Sequence, residues 1–115
     1  MDNLYEQLRI LIEQLKNSVK VLKTNGITLA NREREYKELL RIETLKQKDE
    51  GINSTLIDKV VYGVPEVAKK REERDIAEVT YKANLEGINS VKLQIKVIEE
   101  LINKDLRSKD KDEEN

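Results

Sequence analysis

The chain has 115 residues, 39% charged and 37% hydrophobic, and its 22 basic and 23 acidic side chains leave a net charge of −1. Cys, His, Trp and Phe are absent. The charge balance excludes a basic footprint for nucleic acid or an anionic membrane, and the missing Cys and His exclude disulfides, thiol or imidazole catalysis and the usual zinc sites. No apolar run reaches the ~18 residues of a membrane span, and residues 1–20 lack the basic and continuous apolar regions of a signal peptide. A cytoplasmic location is the expectation.

With one Pro and four Gly, and abundant Leu, Ile, Glu and Lys, the composition is that of helices. The first spans about 3–23. Asn3 caps it, with Glu6 three residues on to complete a capping box. Leu4, Leu8, Leu11, Leu15 and Leu22 form its apolar stripe. Gly26 is expected to end it in a left-handed C′ conformation. Thr28 then caps a second helix, about 29–50, whose apolar face is Leu29, Tyr36, Leu39, Leu40, Ile42 and Leu45. Gly51 stops that helix in the same way. Leu56, Ile57, Val60 and Val61 suggest a short helical turn near 55–62, capped around Thr55, with a strand over 59–62 as the alternative.

Pro65 suits the first turn of a third helix, about 65–106. Ala77, Tyr81, Ile88, Val91, Ile95, Ile98 and Ile102 recur at steps of three and four, interrupted only by Asn84. This is a coiled-coil seam. At 1.5 Å per residue the helix is roughly 60 Å long, against a diameter of about 35 Å for a compact domain of this size. The expected fold is therefore all-α, an elongated antiparallel helical hairpin or bundle with coiled-coil-like packing. It forms a single domain over 1–106, followed by a disordered charged tail over 107–115. Two arrangements satisfy the lengths. The first two helices can cover the third end to end, or the exposed seam can be filled by a second copy.

Ala77, Tyr81, Asn84, Gly87, Ile88, Val91, Ile95, Ile98 and Ile102 are thus the candidate oligomer seam. Asn84 is a candidate register device, since a buried amide is satisfied in one alignment only. Gly87, with Thr80, Ala83 and Ser90, makes a small-residue stripe at which another helix or chain can cross. Lys70 and Arg74 replace aliphatics on the seam, and with Lys69 and Arg71 they form a candidate partner or anion patch, with Tyr62 and Tyr81 as stacking faces. The competing reading is a solvated helix end with ion pairs one turn apart. Glu35 with Glu38, and Glu72 with Asp75, share helix faces at the spacing that two facing helices would use to hold Mg²⁺. All-α nucleotide pyrophosphohydrolases use acidic helix pairs of this kind, but in a chain one-fifth acidic such spacings arise by chance. No catalytic residue, cofactor or metal site follows.

The order Asp49-Glu50-Gly51, Ser54 to Asp58, Tyr62 to Val67, Lys70 to Tyr81 and Gly87 to Leu93, spanning about 41–106, resembles small uncharacterised proteins encoded by tailed phages and prophages of Gram-positive bacteria. The resemblance implies an accessory gene product that acts on a host or phage protein, and it supplies no site residues. Taken together, these features lead us to expect a non-enzymatic, homo-oligomeric interaction or assembly module, with no membrane and no nucleic acid as partner. The alternatives are a counter-defence protein that sequesters a host protein or signalling nucleotide, and an Mg²⁺-dependent hydrolase.

Overall fold

The computed structural model describes residues 3–114, with side chains described through residue 111. The elements, in order, are α1 (Leu4–Asp49), α2 (Ser54–Val60), a single 3-10 turn (Val61–Gly63) and α3 (Pro65–Glu114). The described residues are helices and short connections, without strands, so the class is all-α and the strand alternative for 59–62 is not realised.

Two expectations are corrected. The break at Asn25-Gly26 does not occur, and α1 is one helix of 46 residues. The physical reason lies in the seam. Leu4, Leu8, Leu11, Leu15, Ser18, Leu22, Asn25, Leu29, Arg32, Tyr36 and Leu39 are all buried or half-buried and keep the three-four step straight through the glycine. Holding Gly in a helix costs about 1 kcal/mol, whereas stopping there would orphan four carbonyls and uncover the facing helix. Thr28 is accordingly an internal helical residue and not a cap. The second correction is at the C-terminus. The segment expected to be disordered continues α3 as far as Glu114, with the Lys109–Asp105 ion pair one turn apart at 3.5 Å. Residues 107–111 are exposed, and Asn115 lies outside the described residues.

The other ends follow the local rules. Asn3 Oδ1 accepts from the Glu6 amide at 3.1 Å. The Glu6 carboxylate turns outward to Arg9, whose Nε donates at 3.0 Å, so the capping box is half made. Gly51 has a positive φ of 83°. Its amide donates to the Lys48 carbonyl and that of Ile52 to the Gln47 carbonyl, the paired bonds of a Schellman stop. The short helix α2 is capped by Asn53, whose side chain accepts from the Thr55 amide, two residues earlier than the sequence pattern suggested.

The chain divides into two compact units. The first comprises Met1–Leu22 and Ala83–Asn115. In it, half-buried Leu4, Leu8, Leu11, Leu15 and Leu22 of α1 accompany Ile88, Val91, Ile95, Ile98 and Ile102 of α3. The second unit is Lys23–Lys82. Its interior is Tyr36, Ile57, Val61, Val67 and Ala77. Ile57 and Val67 are almost fully enclosed, so α2 acts as a plug over the connection between α1 and α3. Ile42 and Leu45, placed on the apolar face by the sequence pattern, are exposed. They sit one helix flank away from the Tyr36-Leu39 line. In the second unit Gly26 meets Tyr81, Glu33 lies near Arg74 and Glu35 meets Lys70, and in the first Ser18 meets Asn84 while Ile10 and Leu11 share a groove with Leu93 and Val97, so α1 and α3 run antiparallel within each unit.

Candidate functional site

The seam of α3 runs without a stutter. Val67, Lys70, Arg74, Ala77, Tyr81, Asn84, Ile88, Val91, Ile95, Ile98, Ile102 and Asp105 alternate steps of three and four, and none is exposed. Every aliphatic position proposed from sequence as an oligomer seam therefore lies within the chain's own packing. Asn84 is half-buried, and its Nδ2 donates to the Ser18 carbonyl of α1 at 3.3 Å, an amide set across one register of the first unit. Tyr81 lies against Gly26, where an added Cβ would stand 3.5 Å from its ring. Gly87 is exposed and a Cβ there would meet nothing within 4 Å, so no helix of this chain crosses at the small-residue stripe.

In the second unit the seam turns polar. Lys70 reaches Glu35 of α1 at 3.4 Å and Glu73 at 3.3 Å. Arg32 holds the same Glu35 at 2.8 Å. The guanidinium of Arg74 lies 4.6 Å from the Tyr36 ring centre, contacts Asp75 at 2.8 Å and stands 3.7 Å from Glu33. Arg71 stacks over Tyr62 at 5.5 Å, and Lys69 is exposed. Three of the four cations of the candidate anion patch are thus engaged inside the unit, and of its two tyrosines Tyr62 carries Arg71 on one face while Tyr81 lies against Gly26.

The ionisation of these groups follows their contacts. The hydrogen bond from Arg32 holds the Glu35 carboxyl below its ordinary value against the cost of burial, and the charges of Arg32 and Lys70 add to it. The Glu73 hydrogen bond raises the Lys70 ammonium, assisted by the charges of Glu35 and Glu73. Hydrogen bonding to Asp75 chiefly raises Arg74. These are structural ion pairs, each group held in its charged form, and none is poised for proton transfer near neutrality.

The carboxylate pairs do not converge. Glu35 is committed to Arg32 and Lys70, Glu38 to Arg34, and Asp75 to Arg74. Among the described residues no three His, Cys, Asp or Glu gather as a metal-ligand group.

Two features escaped the sequence reading. Gln47 is buried, and its Oε1 has no hydrogen-bond partner among the described atoms. More consequential is a second aliphatic row in the first unit. Leu93, Val97 and Leu101 are 65%, 54% and 44% exposed. Beside them, Gln7, Ile10 and Leu11 of α1 and Ser90, Gln94 and Ile98 of α3 line a shallow, mainly apolar groove. The signal was available: these three residues repeat at steps of four next to the seam.

Among the described residues no helix is long and apolar enough to cross a membrane. The chain matches no protein-family model, no curated protein and no solved structure.

Proposed function

We propose that this chain is a non-enzymatic helical-hairpin module that works by protein–protein interaction and acts as a homo-oligomer. The observation that carries this reading is the exposed row of Leu93, Val97 and Leu101 together with Ile10, left uncovered after the main seam has been filled. Contiguous aliphatic surface rimmed by polar residues is the mark of an interaction face, and burial at about 25 cal/mol per Å² makes it the largest favourable term open to the molecule. Most of the groups that a catalytic or anion-binding reading would need, among them Glu35, Glu38, Lys70, Arg74 and Asp75, are occupied by internal pairs. That weighs against nucleotide sequestration and against an Mg²⁺-dependent hydrolase. The resemblance to small phage and prophage proteins fits an accessory gene product whose partner is a host or phage protein.

Light scattering coupled to gel filtration tests the reading. The expected mass is at least twice the 13.4 kDa of one chain. A 13.4 kDa particle at all concentrations up to the millimolar range would overturn it.

A further inference from the structure

Resting on that reading, we infer that the occupant of the Leu93–Val97–Leu101 row is a second copy of this chain, docked antiparallel about a two-fold axis near Val97, so that two first units close into a four-helix bundle.

The two flanks of the row are chemically different. With about 100° per residue, Glu100 and Lys96 lie about 60° and 100° round α3 from Val97, on the flank away from the α1 groove. Both are exposed, and neither makes an ion pair among the described residues, although i, i+4 spacing would allow one. The opposite flank carries Gln94 and leads into the groove lined by Ile10, Leu11 and Ile98. It bears no charge.

An antiparallel two-fold pairing brings like flanks together, and a parallel pairing brings unlike flanks together. In the antiparallel case Leu93 of one copy lies opposite Leu101 of the other, and Val97 approaches its own equivalent. Lys96 then comes within a turn of Glu100 of the second copy, twice by symmetry, because the two charges have opposite sign and sit on either side of the axis. On the other flank the two grooves face each other, and Ile10 of both copies joins the apolar contact. A parallel pairing sets the charged flank against the uncharged groove and leaves Lys96 and Glu100 without complement while covering Ile10 with polar groups. Charge and hydrophobic complementarity therefore select the same orientation.

The chain has no cysteine, so a single introduced one reports its own neighbour. Under mild oxidation Val97→Cys is expected to form a disulfide-linked dimer. Leu93→Cys alone and Ile76→Cys, in the second unit, are expected not to. A mixture of Leu93→Cys and Leu101→Cys is expected to form the mixed dimer. Efficient self-linking of Leu93→Cys would mean parallel docking and overturn the inference. Val97→Glu is expected to weaken association about tenfold or more with helix content unchanged. Lys96→Glu is expected to weaken it, with Glu100→Lys added to restore it. If the natural chain is oligomeric and Val97→Glu leaves its mass unchanged, the row serves another partner and this inference fails while the interaction reading stands. If the natural chain is a monomer, both fall together.

Discussion

At the scale of single residues, two glycines that look alike in sequence do opposite things. Gly26 lies inside α1 without a positive φ, and a Cβ there would make an ordinary contact with Tyr81 at 3.5 Å. Gly26→Ala is therefore expected to stabilise the fold by about 1 kcal/mol. Gly51 holds a φ of 83°, and Gly51→Ala is expected to cost about 1 kcal/mol by forcing a side chain into the left-handed region. Urea unfolding of the two variants checks both signs. Had Gly26 ended a helix, the two would respond alike. Arg74 is the other residue whose identity matters at this scale. Its planar guanidinium stacks on Tyr36 while pairing with Asp75 and Glu33, a combination an ammonium does not reproduce. Arg74→Lys is expected to lower stability by about 1 kcal/mol although the charge is kept, which thermal melts will show.

The elements show how a polar layer is tolerated on a coiled-coil seam. Lys70 and Arg74 occupy positions where α3 would otherwise carry aliphatics, and α1 answers with Glu33, Glu35 and Tyr36. The match makes the second unit sensitive to pH at both ends. A carboxyl held below its ordinary value contributes stability that is present above the unfolded-state value and lost as pH falls through the depressed one. Glu35 belongs to this class. A lysine held above its ordinary value contributes stability that is complete below the unfolded-state value and lost as pH rises through the raised one. Lys70 belongs to that class. Glu35→Gln is expected to flatten the acid side of a melting-temperature profile and to soften the alkaline side, since Lys70 keeps only Glu73. An unchanged profile would show that solvent screens the layer completely. Continuity is the other lesson at this scale. Asn25-Gly26 is a local stop signal, yet the apolar step on its two sides is in phase, and phase outweighs the stop signal.

For the whole chain, the question is what remains uncovered once each helix has used its main seam. The all-α class, the long third helix, the Gly51 stop and the seam from Ala77 to Ile102 were all legible in the sequence. They depend on neighbours a few residues apart, and helical periodicity and cap chemistry are local. The partner of that seam was not legible. A heptad stripe states only that some helix covers it, and α1 of the same chain and α3 of another copy present the same pattern. Tertiary packing gave the place to α1 and set Lys70 against Glu35 and Arg74 against Tyr36, partners on another stretch of chain that the one-turn spacing along α3 does not reveal. It also left Leu93, Val97 and Leu101 outside. Periodicity within one helix carries no information about which face a distant segment will occupy, because that choice depends on contacts between residues far apart in the chain, and these exist only after the chain has folded.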